Sequence, residues 1–163
     1  SDLFLIRPDA EALLAANDFA RLWPFLRNNS QGRSGDPAWL TEAVKDQYRA
    51  VWSGALARPA LAGAGAGLRG GCNYYRASPL RPPRADDPAA STISLPEAML
   101  RIDVPTMVIW GLQDKALLPC LVEGLDAYIP HLQLHTLAHA SHWVVHEQPD
   151  VVKAYIGGFL GRA

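Results

Sequence analysis

Residues 105–114 read Pro-Thr-Met-Val-Ile-Trp-Gly-Leu-Gln-Asp, and this stretch decides the fold. Its apolar start is short and nearly unbroken, as in a strand that is buried on both faces of a parallel sheet, and Gly111 ends it. Alternating apolar residues in 132–137 predict a second strand, and helical spacing predicts helices over 117–128 and from Pro149 onwards. The order strand, helix, strand, helix predicts two parallel strands with right-handed crossovers.

The chain before these strands reads as helical. A first helix is predicted over 10–23, where Pro24 would end it, and a second over 39–52. The glycine-rich stretch 56–77 does not favour a continuous helix, because each glycine costs about 1 kcal/mol relative to alanine. The patterns divide the chain into a helical segment 1–78, a proline-rich connection 79–101 and a strand-bearing segment 102–163.

The composition excludes several classes of protein. With 163 residues and 49% hydrophobic side chains, the chain is long enough for one domain with a core and is not a disordered tail. Its 15 basic and 16 acidic residues leave a formal charge of -1. The chain therefore has no excess of positive charge that would attract nucleic acid or anionic lipid. No apolar run reaches the roughly 18 to 20 residues that span a bilayer, so we expect no membrane partner.

Two features bear on location. Residues 1–8 lack a basic start followed by a small-residue cleavage site, so they predict no targeting signal. Cys72 and Cys120 stand far apart in sequence, which fits reduced thiols better than a disulfide framework. The sequence therefore predicts a cytoplasmic protein.

The two predicted strands need neighbours. A two-stranded parallel sheet cannot bury both of its faces and both of its edges. The rest of the sequence does not encode an obvious third strand. We therefore expect that part of the core is missing upstream.

Four histidines recur at intervals of four, three and four residues, namely His135, His139, His142 and His146. On one helix this spacing would align them along a face and suggest zinc. However, 132–137 favours a strand and 138–141 a turn, so the side chains should diverge, and the glutamate of the zinc-protease motif is absent. We expect no metal site.

Asp114 and His142 each follow a predicted strand. Because the carboxyl ends of parallel strands meet at one edge of a sheet, the two side chains should lie close together. A carboxylate beside an imidazole fixes its tautomer and stabilises its protonated form, as in the acid and histidine of a nucleophilic triad. An acid followed by a histidine near the end of the chain is the order of the α/β-hydrolases.

Several motifs resemble one branch of that class. The C-terminal part of an α/β-hydrolase is similar to Val104-Pro105-Thr106, Trp110-Gly111-x-x-Asp114, Ser141-His142-Trp143 and Gln148-Pro149. Asn73-Tyr74-Tyr75-Arg76 resembles the Asn-aromatic-Tyr-Arg run in the helical cap of epoxide hydrolases. The resemblance implies an α/β fold class, a partial α/β-hydrolase fold in which a helical cap, 1–78, precedes the last two parallel strands and their helices. The N-terminal half of the core would be missing.

The resemblance also implies roles for three residues. Tyr75 would donate a hydrogen bond to the epoxide oxygen as the ring opens, and Tyr74 would be the structural aromatic. His142, oriented by Asp114, would activate the water that hydrolyses a covalent ester. The full enzyme would convert a small apolar epoxide to a vicinal diol without a cofactor.

The sequence departs from the epoxide hydrolases in three ways. It has no counterpart of the nucleophilic Asp in its strand-turn-helix elbow, and Gly32-Arg33-Ser34-Gly35-Asp36 reads as a loop rather than a serine elbow. The His-Gly-x-Pro oxyanion segment is absent, and the second cap tyrosine would fall at or before Ser1. We therefore expect this chain alone to be inactive.

Two other functions stay open. One alternative is a haloacid or haloalkane dehalogenase, which has a similar architecture and forms the same kind of covalent ester. A non-catalytic assembly or binding module would use the unpaired edge of the strand at 105–110 to recruit a complementing chain or a second copy, because exposed strand edges are adhesive.

Overall fold

The computed structural model describes residues 7–28, 35–54, 65–78 and 92–161. The chain forms two compact units. The first unit comprises Ser1–Pro24 with Leu40–Leu95, and the second comprises Phe25–Trp39 with Pro96–Ala163. The second unit thus takes in Phe25–Trp39 from the segment that the sequence assigns to the cap. The cap itself stays a prediction.

Several sequence predictions fall outside the described residues. These are the N-terminal segment 1–6, the first part of the glycine-rich stretch (56–64), most of the proline-rich connection (79–91) and residues 29–34, which include most of the loop that imitates a serine elbow.

The first unit begins with helix α1, Ala10–Phe19, whose predicted continuation to residue 23 is wrong. Ala16 is extended, and Asn17, Asp18 and Phe19 have positive φ angles of 53°, 55° and 58°, which non-glycine residues seldom adopt. The Trp23 indole N–H donates to the Asp18 carbonyl at 2.7 Å, so a tertiary contact helps to hold the break.

Pro24 does not end a helix. It lies in the first turn of helix α2, Trp23–Asn28, where a missing backbone N–H leaves no intrahelical bond unmade. The prediction that Pro24 ends the first helix is therefore wrong, because this proline lies at the start of the next one.

The other helices of the first unit follow from clear local signals. Helix α3 spans Glu42–Trp52, and the Thr41 hydroxyl caps it by accepting from the Val44 N–H at 3.3 Å. The predicted helix over 39–52 is therefore confirmed except for its first residues. A short 3₁₀ helix, Ala66–Leu68, leads directly into helix α4, Arg69–Ala77.

In the second unit, the short helix α5, Glu97–Leu100, precedes strand β1, Thr106–Gly111. Strand β1 pairs in parallel with strand β2, Leu132–Leu137, in a register that joins Thr106 to Leu132 and Gly111 to Leu137. Both predicted strands and their parallel order are confirmed. The side chains of Thr106 to Trp110 are half-buried, not buried as the sequence predicts, since among the described residues β1 pairs only with β2.

The predicted helix over 117–128 is wrong. Two 3₁₀ helices, Pro119–Val122 and Leu125–Ala127, occupy this connection instead. Gly124 stands between them with a φ of 74°, a left-handed conformation that interrupts any right-handed helix. The apolar residues have helical spacing, but the left-handed conformation of Gly124 divides the segment into two short 3₁₀ helices.

Two helices follow β2. They are α6, Val144–Glu147, and α7, Pro149–Leu160, and the second confirms the helix predicted from Pro149. The buried apolar side chains of the strand-bearing part of this unit are Val122, Ile129, Ala140 and Val152. None of the helices in the described ranges is both long and apolar enough to cross a membrane.

Candidate active site

The loops that follow β1 and β2 are tied together by hydrogen bonds. The Leu112 N–H donates to the Leu137 carbonyl at 3.0 Å, and the Gln113 N–H donates to the Ala140 carbonyl at 2.9 Å. A Cβ atom added at Gly111 would lie only 2.3 Å from the Ser141 carbonyl oxygen. The close approach of the two loops therefore requires glycine at the end of β1.

Asp114 lies in the first of these loops with only 8% of its side chain exposed. Its Oδ1 accepts hydrogen bonds from the Ala116 and Leu117 backbone N–H groups, both at 2.8 Å. Burial alone would raise the pKa of Asp114, but these N–H groups and the His142 ring hold the pKa below its usual range. Asp114 is therefore a carboxylate near neutral pH.

His142 lies in the second loop, and its Nδ1 is 2.9 Å from Asp114 Oδ2. An ionised carboxylate only accepts hydrogen bonds, so Nδ1 must carry the proton in this contact. The neutral ring then has its lone pair on Nε2, the nitrogen that can take a proton from water. The side chain of His142 is 22% exposed, which leaves it partly accessible. The predicted contact between these two residues is confirmed.

Glu147 holds the backbone next to His142. Its two carboxylate oxygens accept from the Ser141 N–H and the Ser141 hydroxyl, each at 2.6 Å. Ser141 is only 1% exposed. Ser141 belongs to the Ser141-His142-Trp143 motif, whereas no sequence motif pointed to Glu147. A polar side chain that is buried in a loop, such as that of Ser141, needs a hydrogen-bond partner. That need was the available signal for a residue such as Glu147.

Aromatic side chains surround the imidazole. The Trp143 ring meets His142 edge to face at a centroid distance of 4.9 Å, and the Phe25 ring does so at 6.2 Å. Trp39 stacks on His146 at 4.4 Å. The buried indole N–H groups of Trp39 and Trp143 find no hydrogen-bond partner in the part of the chain that the structure describes. The neighbourhood of His142 is therefore apolar on one side and carboxylate-bearing on the other.

The histidines that share a regular spacing have different partners. His135, on β2, stacks on Tyr155 at 3.9 Å, whereas His146, on α6, stacks on Trp39. His142 contacts Asp114. These three side chains therefore have different nearest partners, although the rings of His142 and His146 both lie near Trp143, at centroid distances of 4.9 Å and 6.5 Å.

Tyr75 belongs to the first unit, where it lies on α4 with 45% of its surface exposed. Tyr74 is more exposed, at 73%, although the sequence analysis expected it to be the structural member of the pair. The two rings meet edge to face at 5.5 Å. Neither tyrosine is a packed core residue.

Arg76 fixes the helix that carries Tyr75. Its guanidinium forms a bidentate contact with the Glu11 carboxylate at 2.5 Å and 2.7 Å, and it donates to the Arg7 carbonyl at 2.6 Å. The hydrogen bonds from Arg76 lower the pKa of Glu11 from 4.5 to about 2, against an opposing effect of burial. In the first unit, α4 is therefore joined to α1 by a charged pair.

Comparisons with known proteins give the fold a class. No protein-family model matches the chain. It is 28% identical over 150 residues to the AB hydrolase superfamily protein YfhM of Bacillus subtilis (strain 168), which covers 92% of this chain and 43% of that protein. The fold is that of the C-terminal part of an α/β-hydrolase.

Within that class, the chain resembles the C-terminal portion of the epoxide hydrolases. It is 27% identical over 153 residues to Epoxide hydrolase 4 of Mus musculus, covering 92% of this chain and 36% of that protein. It also matches the fold of a variant of an epoxide hydrolase from Bacillus megaterium, solved with its product (R)-3-[1]naphthyloxy-propane-1,2-diol. That match has a TM-score of 0.70 and 20% identity, and it covers 98% of this chain and 50% of the other. The chain spans about half the length of these proteins or less.

Proposed function

We propose that this chain carries the base and its orienting acid, His142 and Asp114, together with the epoxide-binding phenol, Tyr75, of an epoxide hydrolase. The observation that supports this proposal most is the 2.9 Å contact between Asp114 Oδ2 and His142 Nδ1. It leaves Nε2 free to accept a proton, as hydrolysis of a covalent ester requires.

The proposed reaction has two steps. A carboxylate that this sequence does not provide opens the epoxide and forms an ester, while the Tyr75 hydroxyl donates a hydrogen bond to the developing alkoxide. A phenol suits this task because it is neutral near pH 7 and a good donor.

In the second step, His142 Nε2 takes a proton from water as the water oxygen attacks the ester carbonyl. Asp114 stabilises the imidazolium that forms, and the imidazolium gives its proton to the diol oxygen that leaves the ester. The carboxylic acid released from the ester gives its proton to the alkoxide formed in the first step, so the neutral diol leaves and the carboxylate is restored. No cofactor takes part in this scheme.

The chain alone should turn over no epoxide, because the sequence lacks a nucleophile elbow. Loss of a nucleophile removes on the order of a millionfold of catalytic power in well-studied hydrolases. The test is incubation of the purified chain with styrene oxide and assay of the diol. Diol formation that disappears in His142→Ala would contradict this part of the proposal.

A chimera gives a positive test. The C-terminal half of the Bacillus megaterium epoxide hydrolase would be replaced by this chain, and the epoxide that corresponds to the naphthyloxy diol would be the substrate. We expect diol formation, its loss in His142→Ala and a strong reduction in Tyr75→Phe, with Tyr74→Phe as the matched control. A folded chimera in which His142→Ala keeps full activity would refute the assignment. In a parallel assay with a chloroalkane or chloroacid as substrate, chloride release without epoxide opening would favour a dehalogenase.

A second candidate function is assembly through the edge of the sheet. The half-buried side chains of β1 and its pairing with β2 alone, in the described part of the chain, favour this alternative. A further parallel strand, from a complementing chain or a second copy, would bind this edge. Size-exclusion chromatography tests the idea, since a monomer that stays soluble at high concentration would count against it.

A cytoplasmic location completes the proposal. Cys72 is buried and Cys120 is exposed, and both are free thiols. An exposed free thiol persists best in a reducing compartment, which supports this location. Fractionation of the cells that make the protein would test it.

A further inference from the structure

The loop that carries His142 is short and tightly held. His142 comes five residues after the end of β2, and the residue directly before it, Ser141, is 1% exposed. The Ala140 N–H donates to the Leu137 carbonyl at 3.2 Å, which turns the chain as it leaves β2. The direction of the imidazole therefore depends on what fixes the backbone of Ser141.

Glu147 fixes that backbone. Both carboxylate oxygens are used on Ser141, one on its N–H and one on its hydroxyl, at 2.6 Å each. Hydrogen bonds of this length to an ionised acceptor are stronger than neutral ones. Because one residue receives both bonds, the Ser141 peptide and side chain are held at two points.

Glu147 is itself anchored. It lies at the end of α6, where its N–H donates to the Trp143 carbonyl at 3.0 Å, and the Gln148 N–H donates to the Val144 carbonyl at 2.9 Å. The carboxylate thus connects α6 back to the residue before His142. It acts on the backbone, whereas Asp114 acts on the ring.

We propose that Glu147 is a positioning residue for His142, and this inference rests on the function proposed above. By fixing Ser141, it places the imidazole so that Nδ1 meets Asp114 and Nε2 stays free. Without this contact, the backbone of 141–142 could rotate, and the 2.9 Å contact to Asp114 would be only one of several arrangements.

The chemistry of the contact supplies matched variants. In Glu147→Gln, the amide oxygen can accept from the Ser141 N–H while the amide NH₂ donates to the Ser141 hydroxyl, so both bonds survive. Glu147→Ala removes both bonds. Val145→Ala alters the same helix at a side chain that is 60% exposed, so it is the control for effects on α6 as a helix.

The experiment measures the tautomer of His142 by ¹⁵N NMR in the chain as it is. We expect the Nδ1–H form to dominate in the unaltered protein, in Val145→Ala and in Glu147→Gln. In Glu147→Ala, the ratio of Nδ1–H to Nε2–H should fall on the order of fivefold, the effect of about one net hydrogen bond on an equilibrium.

Thermal unfolding of the same variants separates positioning from simple stabilisation. A lower Tm with an unchanged His142 tautomer in Glu147→Ala would overturn the proposal, and so would a Gln variant that behaves like the Ala variant. If Glu147→Ala does not fold, Ser141→Ala replaces it in the experiment, because this variant loses only the hydrogen bond of the hydroxyl. The ratio of Nδ1–H to Nε2–H should then fall about twofold. An unchanged ratio would overturn the proposal. The tautomer does not depend on turnover, so this test can fail or succeed independently of the epoxide chemistry.

Discussion

The two units of the protein hold their candidate catalytic side chains in different ways. In the strand-bearing unit, the functional groups themselves are fixed, because Asp114 accepts two backbone N–H groups and also contacts His142. In the helical unit, the fixed group is a neighbour, since Arg76 binds Glu11 while Tyr75 stays 45% exposed. The strand-end loops thus fix Asp114 and His142 themselves, whereas the contact in the helical unit fixes Arg76, the residue next to Tyr75.

This difference has an energetic consequence for a bound substrate. The Asp114 and His142 side chains already contact each other in the free protein, so ordering them on binding should cost little. Ordering a side chain such as Tyr75 costs about 0.5–1.5 kcal/mol at the moment of binding. In the function proposed above, Tyr75 would therefore be ordered only on binding, whereas Asp114 and His142 already contact each other in the free protein.

The largest expected effects come from adding a methyl group at the tightest backbone contact of each unit. A Cβ at Gly67 would lie 1.8 Å from the Val51 carbonyl oxygen, and one at Gly111 would lie 2.3 Å from the Ser141 carbonyl oxygen. Because backbone must move in both cases, Gly67→Ala and Gly111→Ala should each cost about 3 kcal/mol or more of unfolding free energy. Urea denaturation measures this cost.

Gly111→Ala should also disturb the His142 ring signals in an NMR spectrum, because the added Cβ would collide with the carbonyl of Ser141, the residue before His142. Unchanged His142 signals in a destabilised Gly111→Ala variant would mean that the two strand-end loops do not approach each other this closely in solution.

A smaller difference is expected between the two carboxylates. Asp114→Ala removes a buried carboxylate that accepts hydrogen bonds from the Ala116 and Leu117 N–H groups and contacts His142, which should cost about 2–3 kcal/mol. Glu11→Ala removes a pair whose side chains are 19% and 26% exposed, so about 1 kcal/mol is expected. Equal losses in denaturant unfolding would show that the strand-end site is no more tightly held than the helical one.

The pH dependence of stability should reveal the same carboxylates. The pKa of Glu11 is about 2 in the folded protein and 4.5 ordinarily, so its contribution is complete above pH 4.5 and is lost as the pH falls towards 2. Asp114, whose folded pKa is also lowered, loses its contribution in the same direction.

Glu11→Gln should flatten the acid side of the stability curve, measured by unfolding at several pH values. A curve with the same slope in the variant would mean that the contact between Arg76 and Glu11 does not form in solution.

The smallest expected effect is a gain in stability at glycines in helices. An added Cβ meets nothing within 4 Å at Gly71 in α4 and at Gly157 in α7. Alanine should therefore stabilise each helix by about 0.5–1 kcal/mol, because it lowers the entropy of the unfolded chain without strain. A loss of stability at one site, measured by Tm, would indicate a contact made by that helix in solution.

The sequence predicts the strand-bearing site well because its geometry follows from topology. Once the residues of β1 and β2 are recognised as parallel strands, the loops after them must meet at one edge, and Asp114 and His142 come together. The pairing of the strands does not predict the contact between Glu147 and Ser141. That contact depends on how the four-residue helix α6 packs against the loop that precedes it.

Other errors arise where a single residue or a tertiary contact overrides the pattern. Gly124 takes a left-handed conformation and breaks an apolar repeat that reads as a helix. The break at Asn17 and Asp18 is held by Trp23 and Arg49, which are distant in sequence or in the next helix. Local spacing carries no information on such contacts, so helix ends are predicted less well than strand pairing.

The most direct test of the central claim is the His142 tautomer in the unaltered chain and in Asp114→Asn. The asparagine can keep its bonds to the Ala116 and Leu117 N–H groups through its oxygen, so its NH₂ must face Nδ1 and act as a donor. ¹⁵N NMR should then show Nδ1–H in the unaltered protein and Nε2–H in the variant. Finding the same tautomer in both would mean that Asp114 does not orient His142, and the acid–base pair would lose its physical basis.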